Sequence, residues 1–214
     1  MAAQPAGVGS VPGGREARWW PSLLALLALG VAYAFVSANL TLGPPWLLLA
    51  VLALGGVGIR VLRWRELWVL RRYSAMLILG VATVAVGISA VYLLQSLLRG
   101  QTQAGDLLRD AALLWASNVL VFALWYWELD GGGPAHRHHG QHDFLFPQMT
   151  IQHKANEWTP EFLDYLFLAF NTSTAFSPTD TMVLARRAKV LMMVQSLISL
   201  VTIAVLAARA INTL

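Results

Sequence analysis

Two stretches hold most of the side chains that could do chemistry. The first is AHRHHGQHD, residues 135–143, with His136, His138, His139 and His142 inside seven residues. Neutral imidazoles ligate Zn²⁺, Ni²⁺ or Cu²⁺, and His-rich tracts are a compositional metal signal. His138 and His142 are four apart, one face of a helix if the segment were helical. The surrounding Gly and Pro oppose that conformation, and a flexible loop loses entropy when a metal orders it. Asp143 offers an additional oxygen. A solvated loop that happens to be His-rich is the plain alternative, and a pH-responsive loop is a third.

The second stretch is FNTSTAFSPTD, Phe170 to Asp180. Thr172, Ser173, Thr174, Ser177 and Thr179 are five hydroxyls, and Asp180 adds a charge. Together they could coordinate or pass a small monovalent cation. The plain alternative is a polar turn in which Ser177, Thr179 and Asp180 cap a helix and Pro178 ends the one before it. Further along, Gln195, Ser199 and Thr202 stand at i, i+4 and i+7, one polar stripe of a helix. Asn118 is a polar residue in another apolar run. Such groups either join helices by hydrogen bonds or line a pathway. Asp164 is the acid closest to an apolar run, and an acid within a membrane is a functional candidate.

The elements that must position these residues follow from charge. The chain has 214 residues, 57% hydrophobic and 12% charged, against about 25% charged in soluble domains. The charges cluster. Residues 19–59, 73–98, 111–127 and 190–208 contain none. A membrane span needs about 20 apolar residues. The composition predicts an all-α polytopic membrane helix bundle, with the lipid bilayer as its first partner. There is no cysteine, which removes disulfides and thiolate metal sites. The net charge of +4 comes largely from helix flanks, so it is no signal for nucleic acid.

About five spans are expected. Residues 1–18 read as a disordered cytoplasmic N-terminus. Residues 19–129 carry four transmembrane helices, at about 19–38, 45–62, 73–98 and 109–129. Pro44-Pro45 divides the first two. Arg15 and Arg18 before a run ending Val36-Ser37-Ala38 also fit a cleavable signal peptide. Residues 130–160 form a polar His-rich loop. Residues 161–214 give a short helix, a polar turn and a final span over about 185–212. The short helix at 162–176 is re-entrant, interfacial or a sixth span. Gly55, Gly56 and Gly58 predict close approach of a neighbouring helix. The nine Trp fall near span ends or in flanking loops, where an indole is favoured.

The basic residues set orientation. With the N-terminus and the 60–72 loop cytoplasmic and 162–176 returning, twelve of fifteen Lys and Arg are inside. If 162–176 crosses, ten are inside and the C-terminus is cytoplasmic. Both arrangements place the chain in the cell's inner (plasma) membrane with a cytoplasmic N-terminus.

From Phe162 the chain runs FLDYLFLAFNTSTAFSPTDTMVLARRAKVLMMVQ, then an apolar helix ending near Asn212. An aromatic run with an early Asp, a Thr-containing turn, a Thr-Asp step and an Arg pair resemble an uncharacterised bacterial integral membrane family, a domain-of-unknown-function group. Phe146-Pro147 belongs to the same pattern. The family implies a membrane location and no activity. The layout is also distantly similar to the pore half of two-helix potassium channels. That similarity implies a filter threonine at Thr174 and a closing acid at Asp180. Ser177-Pro178-Thr179 stands where such a filter has Gly-Tyr-Gly, so its carbonyl geometry is not implied.

The sequence therefore suggests ion or small-solute permeation through a site near 170–180, in a homo-oligomer, with Gln195 as a further site candidate. The other reading is a non-transporting structural or interaction membrane protein, metal- or pH-responsive through its His-rich loop. No phosphate-binding loop, His-Glu-x-x-His or Gly-x-Ser-x-Gly is present. No enzyme and no cofactor are expected.

Overall fold

The computed structural model describes residues 19–100, 103–133, 142–151, 158–174 and 180–212. Six α-helices account for most of them: α1 (Trp20–Ala34), α2 (Trp46–Trp64), α3 (Trp68–Arg99), α4 (Ala104–Leu129), α5 (Phe162–Thr174) and α6 (Arg186–Asn212). A two-residue antiparallel pair, β1 (Phe144–Leu145) and β2 (Met182–Val183), is the sole sheet among the described residues. Four helices, α2, α3, α4 and α6, are long and apolar enough to cross a membrane. The chain is a multi-pass helical membrane protein.

The helices follow the uncharged runs, and their ends depart from hydropathy for local reasons. Pro21 occupies the first turn of α1, where its missing N–H costs nothing. Helix α1 stops at Ala34, and a short 3-10 turn spans Ala38–Leu40. Between them the Ser37 N–H donates to the Asp110 carboxylate at 3.3 Å, which holds the chain in its turn. Helix α3 begins at Trp68 rather than near 73. Arginine is a good helix former, and Arg71 gains a partner from the extra turn. Helix α4 begins at Ala104, with Asp106 in its first turn complementing the helix dipole.

Helix α4 is the central element. Of its apolar stretch 61% is buried inside the molecule, against 17% for α2 and 22% for α6. It packs on α1, α3, α5 and α6. Small residues permit the tight contacts elsewhere. A Cβ on Gly30 would lie 2.7 Å from the Leu49 side chain, and one on Gly55 would lie 2.5 Å from Ile78. These two glycines therefore seat α2 against α1 and α3. Gly58, which the sequence groups with Gly55 and Gly56, has nothing within 4 Å of its Cβ position.

The contacts sort the chain into two ends. Arg60 of α2 lies over the Trp19 ring just before α1, and Arg71 of α3 pairs with Glu128 of α4. Those four segments share one end. Ser37 and Asp110 meet at the other. Asp110 and Glu128 bracket 17 uncharged residues, and the two acids are about 27 Å apart along the helix. That is close to the roughly 30 Å of a bilayer's hydrocarbon core.

Candidate functional site

Helix α5 starts at the Glu128 end. Phe162 packs edge-on against Trp127, with centroids 5.9 Å apart. The helix then runs inward for 13 residues, about 20 Å. Its far half meets the middle of α4 and α6: Phe170 packs on Trp115 at 5.6 Å, and Ala169 and Ser173 reach Gln195. Helix α6 nevertheless begins back at the Glu128 end, where Arg187 meets Asp143. The starts of α5 and α6 thus lie at the same end of the bundle.

A polar seam joins α4, α5 and α6 in the middle. Gln195 is fully buried. Its Nε2 donates to the Ala169 carbonyl and to Ser173 Oγ, both at 2.7 Å. Its Oε1 accepts from the Tyr126 hydroxyl. On the next turns of α6, Ser199 Oγ accepts from Asn118 Nδ2 at 2.8 Å, and the same amide reaches the Gln195 carbonyl at 3.1 Å. Thr202 bonds its own helix, at the carbonyls of Ile198 and Ser199. Two acceptors in the seam's neighbourhood have no partner among the described residues: Asn118 Oδ1 and Ser117 Oγ, both buried. In low dielectric an unpaired polar group is costly.

The two described hydroxyls proposed as ion ligands bond their own helix, and Thr172 also meets the Tyr126 hydroxyl of the seam. Thr172 Oγ1 donates to the Leu168 carbonyl at 2.8 Å. Thr174 Oγ1 lies 3.2 Å from the Phe170 carbonyl and 3.3 Å from that of Asn171. This back-bonding is a common refuge for hydroxyls within helices. Asp180 is exposed, before β2. Ser177 and Thr179 lie outside the described residues. The structure therefore brings Gln195 together with Ser173, which the sequence placed in the hydroxyl stretch. Of the described site candidates, Gln195 and Thr172 meet in the seam, whereas Thr174 and Asp180 do not.

A second polar cluster seals the Glu128 end. Asp130, fully buried just past α4, accepts the N–H groups of Asp143 and Phe144 on Oδ1, at 2.7 and 3.2 Å. Its Oδ2 accepts the Tyr165 hydroxyl of α5 at 2.5 Å. Asp143 is buried as well, and Arg187 grips both its oxygens, at 2.8 and 2.6 Å. This is a bidentate fork, the strong form of a charge-assisted pair. The Asp143 carbonyl also accepts the Leu184 N–H at 2.8 Å. Residues 142–146 thus form a strap across the ends of α4, α5 and α6. Aromatic rings back it, with Tyr165 edge-on to Phe146 at 5.3 Å and to Trp127 at 5.7 Å.

His142 is the one His of the loop among the described residues. Its Nδ1 lies 3.7 Å from Asp130 Oδ2. His136, His138 and His139 lie outside the described residues. Among the described residues no group of three His, Cys, Asp or Glu could hold a metal ion. Asp143, considered above as an oxygen ligand, has both oxygens committed to Arg187. Asp164 serves the start of α5, where its Oδ2 accepts the Glu161 N–H at 2.7 Å.

Sequence reading missed Asp130, Arg187 and Tyr165 as a unit. Asp130 and Asp143 are 13 positions apart, and Asp143 and Arg187 are 44 apart. No short motif spans such separations. Tyr126 was hidden for another reason, because a Trp-Tyr-Trp run at a span end reads as an interfacial belt. No protein-family model, curated protein or solved structure matches the chain. The fold and the seam define its class: a multi-pass membrane bundle with a buried polar seam and a sealed end.

Proposed function

We propose that this chain is a non-transporting structural or interaction protein of the inner membrane. In this reading α1, α2, α3, α4 and α6 make five crossings, and α5 is re-entrant. The N-terminus, the arginine-rich loop and the strap are cytoplasmic. The chain path supports the returning arrangement, because α5 and α6 start at one end. That arrangement also keeps twelve of fifteen Lys and Arg inside.

The observation that carries the functional reading is that both polar atoms of the Gln195 side chain have protein partners. Thr172 is held by its own backbone and by Tyr126, and Thr174 by its own backbone, so both are positioned as helix and seam contacts. An ion site needs oxygens free to replace a hydration shell. Interhelical bonds instead hold helices in register.

Permeation remains the second reading, and Asn118 Oδ1 with Ser117 Oγ favours it. These are buried acceptors at membrane depth with no protein partner among the described residues. Water or a monovalent cation would satisfy them. One experiment separates the two. The purified protein is reconstituted in liposomes and assayed for K⁺, Na⁺, H⁺ and Cl⁻ flux, beside Asn118→Leu and a Thr174→Ala/Asp180→Asn double variant. The expected result is no flux above empty vesicles. A selective flux abolished by Asn118→Leu would overturn the structural reading.

Topology has an independent check, because no native cysteine interferes. Ser10→Cys, His139→Cys, Ser177→Cys and Thr213→Cys are each probed in intact cells with a membrane-impermeant maleimide. Labelling is expected for Thr213→Cys alone. Labelling of Ser177→Cys with protection of Thr213→Cys would mean that α5 crosses.

A further inference from the structure

At the arginine-rich end, α1, α2, α3 and α4 diverge around a cavity of about 70 Å³. That is room for several water-sized groups. Its rim is polar: Arg60, Arg63, Arg71 and Glu128, with Trp19 beside them. Its floor is apolar and made of buried Leu26, Ala75, Leu79 and Leu124. A second hollow shares Arg60 and Arg63 and is walled by Trp64, Trp68 and Glu66, the carboxylate of which lies outside ion-pair distance of either arginine.

The charges of the rim do not balance. Glu128 pairs with Arg71 at 2.8 Å. Even so, the Arg71 Nε is buried and has no acceptor among the described residues. Arg60 lies with its guanidinium carbon 4.2 Å from the centre of the Trp19 ring, a cation–π contact that needs no acceptor for its N–H groups. Among the described residues neither Arg60 nor Arg63 has a carboxylate within ion-pair distance. Three guanidiniums against one carboxylate leave two positive charges at the mouth of an apolar hollow.

Arginines at span ends are ordinary topology signals and need no ligand. Those residues point outward to water or headgroups. Arg60 is itself exposed and Arg63 and Arg71 are half-buried, but all three, from two different helices, line one cavity between helices. A guanidinium fork matches a phosphate, and an apolar floor matches an acyl chain. Basic pockets between helices on the cytoplasmic side are a recognised form of anionic-lipid site. We infer that this cavity binds the phosphate of an anionic lipid headgroup, with Arg60 and Arg63 as its ligands and the lipid's chain against Leu26 and Leu79. The inference does not depend on whether the bundle transports anything.

The test uses the full chain, delipidated in mild detergent. Native mass spectrometry measures retention of phosphatidylglycerol and phosphatidylcholine at matched concentrations. The wild type is expected to retain phosphatidylglycerol at least tenfold better. Arg60→Ala/Arg63→Ala should bring that preference to near unity. Arg65→Ala/Arg72→Ala removes the same charge outside the cavity and should leave the preference intact. If the first pair fails to fold, Arg63→Gln alone is read instead, with a drop of at least threefold expected. An unchanged preference in the cavity variants, or an equal loss in the control pair, would overturn the site. Millimolar inorganic phosphate should not displace the lipid. Displacement would assign the cavity to soluble phosphate and overturn the lipid as its source.

Discussion

Asp130→Ala is expected to destabilise the protein by about 3–5 kcal/mol, the range for removing one partner of a buried charged network. The carboxylate holds three donors at once, the N–H groups of Asp143 and Phe144 and the Tyr165 hydroxyl. Alanine would take that acceptor from all three in a buried site, and each backbone N–H so orphaned costs about 1–3 kcal/mol. Asp130→Asn is the informative companion. Its side-chain oxygen can still accept both backbone groups, while its amide faces Tyr165, whose hydroxyl can turn and accept. That variant should lose about 1–2 kcal/mol. Thermal unfolding in mild detergent, followed by tryptophan fluorescence, gives the ranking. Limited proteolysis gives the location: cleavage within 142–151 should rise in Asp130→Ala well below its melting transition. If alanine and asparagine both melt with the wild type, Asp130 does not anchor the strap.

How far these features could be read from the sequence depends on their range along the chain. Uncharged runs located α2, α3, α4 and α6, because burial in lipid acts on every residue of a span. Pro44-Pro45 marked the α1–α2 break for an equally local reason. The stripe of Gln195, Ser199 and Thr202 was visible from helical period alone, and Asn118 stood out as a polar residue in an apolar run. That the two meet is tertiary information. The return of the chain after α5 was undecidable from composition, since fifteen uncharged residues at 165–179 suit a dip or a short crossing. The Asp143–Arg187 fork and the β1–β2 pair, which bring the start of α6 to the end where α5 starts, are what support the returning reading proposed above. Two-residue strands carry no periodic signal, and Asp143 sits beside four histidines that suggest a different chemistry. The sequence directs attention to the imidazoles, whereas the structure uses the two neighbouring acids.

Gln195→Leu tests the seam itself. The side chain makes three interhelical hydrogen bonds. Such bonds average about 0.6 kcal/mol each within membranes and reach about 1.7. Leucine has a similar volume, so the loss is chiefly of polar pairing and not of packing. A destabilisation of about 2–3 kcal/mol is expected, the larger figure applying if Tyr126 is left as a buried orphan donor. Adding Tyr126→Phe should then restore about 1 kcal/mol, because the orphan is removed with its partner. Unfolding by sodium dodecyl sulfate in mixed micelles measures both. The sign of the second step is the discriminating result. If Gln195 and Tyr126 form a structural clamp, the double variant is more stable than Gln195→Leu. If Tyr126→Phe instead adds a full independent loss, the two side chains serve separate partners. The seam would then not couple α4 to α6 through this pair, and the case against a hydrated pathway at Gln195 would lose its main support.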